Sequence, residues 1–362
     1  MKKVLAVVAI LALAAAIVWV VSVSDRANPS VGVPSQEGGS IIALAEGLQV
    51  PWALAFLPDG DIVLTERPGR VRIIDASEGL REDPLLELPQ VQHRGEGGLL
   101  GIALHPSFPD PAYMYLYYTY DGTNGTANRV SRFPWNELTA TDEEVLLDDI
   151  PGGRIHNGGR IKFGPDGMLY VTTGDAGTTS LAQDTESLAG KILRLTPDGG
   201  VPDDNPFEGS PMYSYGHRNP QGLAWDDDGR LWATEHGSSA TDELNLIQPG
   251  RNYGWPEIRG DETSVDMETP VLNSGSDTWA PSGMASMDGS LYFAGLRGSS
   301  LYKVELNGEP SLSTYLSGEY GRLRAVATGP EGNLFVLTSN RDGRGTFVPE
   351  DDRLVRIDPD AL

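Results

Sequence analysis

The chain has 362 residues, 51 of them acidic and 27 basic, for a formal net charge of −24. So acidic a surface repels nucleic acid and anionic lipid, which excludes those as partners. There is no cysteine, so disulfides, thiolate metal sites and cysteine nucleophiles are excluded as well.

In chain order, Lys2 and Lys3 precede an apolar stretch from Val4 to Val23. A basic start followed by such a run is the pattern of a signal peptide with a long apolar region, and about twenty apolar residues also suffice to span a bilayer. Residues 1–24 are therefore read as a signal peptide or an N-terminal membrane anchor, and the protein as exported, periplasmic or extracellular. Asp25–Gly39 (DRANPSVGVPSQEGG) has the composition of a linker. Residues 40–362 form the folded domain. Its glycines and prolines, 44 and 26 in the whole chain, are spread between short apolar runs, which predicts many short strands and many turns.

One pattern recurs: an apolar strand, a turn at Asp-Gly or a similar pair, and a second apolar strand. Its copies are ALAFLPDGDIVLTE (Ala53–Glu66), IALHPSFPDPAYMYLYYTY (Ile102–Tyr120, with a longer turn), IKFGPDGMLYVTTGD (Ile161–Asp175), LAWDDDGRLWATEHG (Leu223–Gly237), GMASMDGSLYFAGL (Gly283–Leu296) and VATGPEGNLFVLTSN (Val326–Asn340). The spacing, about 40–60 residues, suits propeller blades of about 40–50. A further strand type follows several copies: GRVRIID (Gly69–Asp75), GKILRLT (Gly190–Thr196), SSLYKVEL (Ser299–Leu306) and DRLVRID (Asp352–Asp358). Each alternates polar and apolar residues, as a half-exposed outer strand should. SIIALAEGL (Ser40–Leu48) is expected to supply a strand that closes the last blade. The prediction is an all-β fold, a six-bladed β-propeller of four-stranded antiparallel blades. Two separate β-sandwiches are the competing arrangement, disfavoured by the even recurrence of the turn motif to the C-terminus.

Loops at one end of a propeller channel converge from different blades. Of the five histidines, His93, His156, His217 and His236 lie beside such loops, and His105 is expected to order a turn. His156 precedes a first strand, and Asp175 follows the second strand of the same blade. Antiparallel pairing brings these two ends together, so Asp175 can hydrogen-bond one ring nitrogen of His156. That bond fixes the tautomer and raises basicity, as a general base for an alcohol proton requires. A histidine that merely caps a loop is the alternative. Arg218 and Asn219 (in YGHRNPQGL), Arg297, and Arg322 with Arg324 (in YGRLRAV) also lie at blade ends. Clustered arginines on an acidic protein point to an anionic ligand, against the alternative of ordinary surface arginines. In Glu235–Glu257, the carboxylates Asp242 and Glu243 and the carbonyls near Gly237 and Ser238 offer hard oxygens that suit Ca²⁺, though not with EF-hand spacing; acidic loops are also commonly just solvated. No serine nucleophile elbow, P-loop, HExxH or Rossmann glycine motif is evident.

The runs VPWALAFLPDG, GEGGLLGIALHP, HNGGRIKFGPDGMLYVTTGD, LAGKILRLTPDGGVPDDNPF, YGHRNPQGLAW, TDELNLIQPGRNYGWP, APSGM and GRLRAVATGPEG follow one another over roughly residues 50–358. In content and order they resemble the soluble aldose-sugar dehydrogenases that use pyrroloquinoline quinone, the glucose/sorbosone dehydrogenase family. The resemblance implies oxidation of the anomeric C1 hydroxyl of an aldose sugar to the lactone, by hydride transfer to pyrroloquinoline quinone (a reaction of class EC 1.1.5.-), with a separate electron acceptor to reoxidise the cofactor. It implies that His156 is the base, that Asp175 orients it, and that Arg218 and Asn219 lie at the quinone, Arg218 next to its reactive carbonyls. Arg322 and Arg324 match an arginine pair that holds cofactor carboxylates. The resemblance also implies cofactor binding by Arg297, which stands where the family often has Lys, and by Glu96, near a position where some members have Gln. The carbonyls of Gly237 and Ser238 match ligands of a cofactor calcium; Glu243 and the Tyr253 main chain, with Asp242 nearby, match a structural calcium site. Two other functions compete. A calcium-dependent propeller lactonase or esterase would want an axial ion held by carboxylates and Asn from several blades. A non-catalytic propeller binding a glycan or a partner would give His156, Asp175 and the arginines no reason to coexist.

Overall fold

A computed structural model describes residues 40–362; the expected signal or anchor (1–24) and the linker (25–39) lie outside the described residues. Within them the only helices are three single turns of 3₁₀ type, and no helix is long and apolar enough to cross a membrane. The rest is six antiparallel sheets, each a blade of a six-bladed propeller. The recurring hairpins form the first two strands of every blade: Pro51–Phe56 with Ile62–Glu66, Leu99–Leu104 with Tyr113–Gly122, Ile161–Phe163 with Leu169–Thr173, Pro220–Trp225 with Leu231–Glu235, Pro281–Met287 with Ser290–Gly295, and Leu323–Thr328 with Leu334–Thr338. The six first strands line the central channel.

The ring is closed by the N-terminal strand. Ile41–Ala45 pairs antiparallel with Leu354–Ile357 in the sixth blade, in the register Ile41↔Ile357 and Ala43↔Val355. This hides the edge that the last blade would otherwise expose. The strands at Arg70–Asp75, Lys191–Leu195, Ser300–Glu305 and Leu354–Ile357 differ from expectation. They are third strands, each covered by a further strand, and Lys191–Leu195 is buried throughout. Polar side chains such as Lys191 and Arg194 there satisfy partners inside the protein, three carbonyls for Lys191 Nζ and Asp166 and Asp204 for Arg194. In Lys191–Leu195 alternation therefore marked polar bonding within the fold; in the other three strands Arg72, Lys303 and Arg356 are partly exposed, as a half-exposed strand should show. In the first blade the covering strand is split into Gly79–Leu80 and Leu86–Glu87, with Pro84 between them.

The core lies between blades. Tyr115, Tyr117, Tyr118 and Phe133 of the second blade are fully buried, each such ring being worth about 1.5–3 kcal/mol of transfer free energy. Aromatic pairs join neighbours: Phe56–Phe335 at 4.9 Å across the closure, Tyr115–Phe163 at 5.0 Å, and Tyr170–Trp225 at 5.0 Å. Near the axis the inner strands crowd together. A Cβ at Gly101 would collide with the carbonyl of Gly159 in the next blade, so that position accepts only glycine.

Candidate active site

Each first strand begins where its second strand ends, so twelve strand termini gather at one face of the ring. His156 and Asp175 meet there: His156 Nδ1 and Asp175 Oδ1 are 2.7 Å apart. Asp175 is completely buried. Its Oδ1 also accepts the Gly177 N–H at 2.7 Å, and its Oδ2 accepts Trp255 Nε1 at 2.8 Å. Burial alone would raise this carboxyl, but the bonds from His156, Gly177 and Trp255 hold it below its ordinary value. A charged acceptor at Nδ1 keeps the proton on that nitrogen and leaves Nε2 as the basic atom. Nε2 has no hydrogen bond among the described residues.

The imidazole is held from its backbone as well. His156 adopts a φ of +56°. Its N–H donates to Glu96 Oε2 at 2.9 Å, and its carbonyl accepts from Ala176 N–H at 3.1 Å. A Cβ at Gly174 would run into the His156 carbonyl oxygen. Glu96 Oε1 in turn accepts from Arg344 Nη1 at 2.9 Å. Burial opposes its ionisation, yet the His156 N–H and the cationic neighbours pull Glu96 down to about 2. The carboxylate is thus engaged by the protein itself, as a brace for the His156 loop.

Arg218 reaches the same place from the fourth blade. Its N–H donates to Glu235 Oε1, its Nη1 donates to the His236 carbonyl at 3.3 Å, and its guanidinium lies 5.3 Å from the Trp255 ring. Asn219 is buried, and its Oδ1 accepts from the Gly158 N–H at 3.0 Å and Gln221 Nε2 at 3.3 Å, tying the His156 loop to the fourth blade. Trp255, which contacts both Asp175 and Arg218, was not singled out from the sequence. Its place in the run NYGWP was the one signal available. His217 has no such role: it is fully buried, with Nδ1 on Glu235 Oε2 and Nε2 on Ser214 Oγ, each at 2.8 Å.

The expected arginines separate into three environments. Arg324 is buried with only neutral partners, Gln221 Oε1 at 3.0 Å and Ser282 Oγ at 3.3 Å; its Nε has none. Burial pushes it down to about 9. Arg67, also missed from the sequence, donates to the carbonyls of Gly95 and Gly97, and burial lowers it to about 10. Arg322 is neutralised by Asp342 at 2.8 Å and donates to the Leu296 carbonyl at 3.3 Å. Arg297 is exposed and makes no hydrogen bond or ion pair among the described residues; it is not brought into contact with the others. Buried guanidinium groups without a carboxylate are costly, and Arg324 and Arg67 suit an anion placed at this face.

The loop after Glu235 forms the side wall. Asp242 does not offer free oxygens: Oδ1 accepts from Gly237 N–H at 2.9 Å, and Oδ2 from Trp279 N–H at 2.7 Å, Ala280 N–H at 2.8 Å and Thr278 Oγ1 at 3.0 Å. It orders the loop. Glu243 is different: burial and the charge of Glu235 push it up to about 7, and among the described residues its carboxylate accepts only from the Gly260 N–H at 2.9 Å and Asn245 Nδ2 at 3.2 Å. The carbonyls of Gly237, Ser238 and Tyr253 accept no hydrogen bond among the described residues. These four residues line a cavity of about 10 Å³, the size of one water or one ion. Among the described residues no group of three or more His, Cys, Asp or Glu could hold a metal, so a cation here would depend mainly on main-chain oxygen. Hard carbonyl oxygens with one carboxylate suit calcium.

Known proteins resemble this chain in sequence and in fold. The profile of the family described as Glucose / Sorbosone dehydrogenase matches residues 48–354. The chain is 35% identical to the aldose sugar dehydrogenase YliI of Escherichia coli over 342 residues, covering 84% of this chain and 91% of that protein. It is 36% identical to quinoprotein glucose dehydrogenase B of Acinetobacter calcoaceticus over 250 residues, 60% of this chain and 52% of that one. Among solved structures, the pyrroloquinoline-quinone-bound aldose sugar dehydrogenase of Streptomyces coelicolor superposes with a TM-score of 0.82 at 46% identity, over 88% of this chain and 98% of that one.

Proposed function

The chain belongs to the glucose/sorbosone dehydrogenase family, and from that premise we propose that it oxidises the C1 hydroxyl of an aldose to the lactone, with pyrroloquinoline quinone as the acceptor, calcium as a second cofactor and His156 as the base. The observation that carries this is the 2.7 Å bond between His156 and a buried, ionised Asp175, set at the same face as arginines that lack acidic partners.

His156 Nε2 takes the proton of the anomeric hydroxyl. Asp175 remains a carboxylate throughout and stabilises the imidazolium that forms, while Trp255 and the Gly177 N–H keep its two oxygens in place. General-base assistance of this kind is worth about 10²–10⁴-fold in rate. The quinone, when bound, supplies the two-electron sink for the hydride that leaves C1. Arg324 and Arg67 would hold the cofactor's carboxylates, and Arg218 with the Asn219 amide would bind its quinone end. Arg322 and Arg297 belong to the same face, the first with its charge already offset by Asp342. The carbonyls of Gly237 and Ser238 would hold the cofactor calcium, whose positive charge favours electron-rich oxygen. The cavity that these residues line has room for one ion, so Glu243 and the Tyr253 carbonyl would complete the shell of that same calcium rather than hold a second, structural one, with Asp242 shaping the loop.

The segment from Lys2 to Val23 supports export, as a cleaved signal or as a tether, and with it a reaction outside the cytoplasm. A lactonase built on acid-held axial calcium finds no matching acid group among the described residues. The test is direct. The protein is incubated with pyrroloquinoline quinone, Ca²⁺, a dye acceptor and a panel of aldoses. Sugar-dependent dye reduction is expected, and His156→Ala should keep quinone binding while losing turnover. If the quinone does not bind and no sugar reduces the dye, the proposal fails.

A further inference from the structure

A second cavity occupies the other half of the channel. It measures about 420 Å³ and is lined by the first strands of all six blades. Phe56, Leu104, Phe163, Trp225 and Thr328, each the last residue of its strand, form its rim at the end away from His156.

Arg160 closes its inner end. The Nε of Arg160 donates to the Gln221 carbonyl at 2.9 Å, its guanidinium lies 4.0 Å from the Trp52 ring, and a Cβ at Gly283 would sit 3.0 Å from Nη2. The side chain therefore reaches from the third blade to the first, fourth and fifth. Its Nη2 is buried without any partner. Lys162 follows two positions later, in the strand Ile161–Phe163 that Arg160 immediately precedes, and lines the same cavity. Its Nζ makes one long contact, to the Leu223 carbonyl at 3.4 Å. The Ser286 hydroxyl on the same wall is also buried and unpartnered. Among the described residues no Asp or Glu lines this cavity, although the chain carries 51 of them. Burial pushes Lys162 down to about 8 and Arg160 down to about 9, a cost that a neighbouring anion would relieve.

We propose that this half of the channel binds a small organic anion, a monocarboxylate with an apolar body. The carboxylate meets Lys162, Arg160 and the Ser286 hydroxyl, whose donors match its two oxygens. The body packs on the apolar wall, in a volume within the range of small-molecule sites, about 300–1,000 Å³. Lys162 and Ser286 contact none of the groups around His156, and Arg160 adjoins that face only through Gln221 and Trp52, which it shares with Arg324.

Benzoate is the probe, with neutral benzamide as its isostere. The full chain is titrated at pH 7 and followed by calorimetry and by the fluorescence of Trp225, which lines the wall. Saturable binding of one benzoate per chain is expected, unchanged when pyrroloquinoline quinone is present in excess and much weaker for benzamide. Lys162→Met keeps the aliphatic stem and loses a single long hydrogen bond, so thermal unfolding should stay near that of the parent. Its benzoate affinity should fall about tenfold or more. Absence of saturable binding, equal affinity for benzamide, or full affinity in Lys162→Met overturns the proposal. Displacement of benzoate by the quinone also overturns it, by placing the anion at the His156 face, and leaves the dehydrogenase reading intact.

Discussion

The indole Nε1 of Trp255 donates to Asp175 Oδ2 at 2.8 Å, across 80 positions of sequence. The other oxygen of that carboxylate faces His156 Nδ1 and the Gly177 N–H. A side chain from the loop after the fourth blade's third strand thus joins His156 and Gly177 in favouring the charged form of a residue in the third blade. Trp255→Phe keeps the ring and removes the donor. A buried acceptor left without its partner costs about 1–3 kcal/mol. Asp175 would then be protonated at higher pH than in the parent. The acid limb of the rate–pH profile should move to higher pH and kcat should fall by about tenfold or more, while quinone titration is little changed. An unmoved acid limb would show that the indole bond does not tune the carboxylate.

Gly174→Ala tests the backbone frame of His156. The new Cβ meets the His156 carbonyl, which is main chain and cannot swing away. The loop must shift, which should lower stability by about 2 kcal/mol or more and reduce turnover with it. Thermal unfolding and steady-state rates check both. A variant with parental stability and rate would mean that the loop has room to give.

Arg324→Met separates cofactor affinity from stability. In the folded protein burial holds this guanidinium at about 9, against 12.5 ordinarily. The folded state therefore binds fewer protons than the unfolded one between those values, and Arg324 opposes folding fully below about pH 9, an opposition that lifts as pH rises through that window. Replacing a buried unpaired charge by an apolar chain is often neutral or stabilising. The cofactor-free variant should unfold at the same or a higher temperature than the parent, and its affinity for pyrroloquinoline quinone should drop by about tenfold or more. Lower stability together with unchanged affinity would contradict the assignment.

Removal of residues 1–46 tests ring closure. The deletion leaves Leu354–Ile357 without its partner Ile41–Ala45 and exposes the edge of the sixth blade. A drop in unfolding temperature of several degrees, with a tendency to associate through the bare edge, is expected.

Several features of this protein were determined by the sequence alone because they depend on neighbours along the chain. A hairpin is built by its own turn, so six strand–turn–strand units were readable, and with them the blade count and the closing strand at Ser40–Leu48. The His156–Asp175 contact was also legible, because antiparallel pairing forces the start of one strand against the end of the next. The tertiary structure alone decided what partners reach a given side chain from other blades. Trp255 was found only there, as were Arg67 and the 2.9 Å bond from Arg344 to Glu96. So were the Asp342 carboxylate that neutralises Arg322, the absence of any such acid at Arg324 and Arg160, and the four donors that occupy Asp242. Local pattern carries the strand and its turn; the charge balance of a buried group is set by contacts between residues far apart in the chain, which no spacing rule encodes.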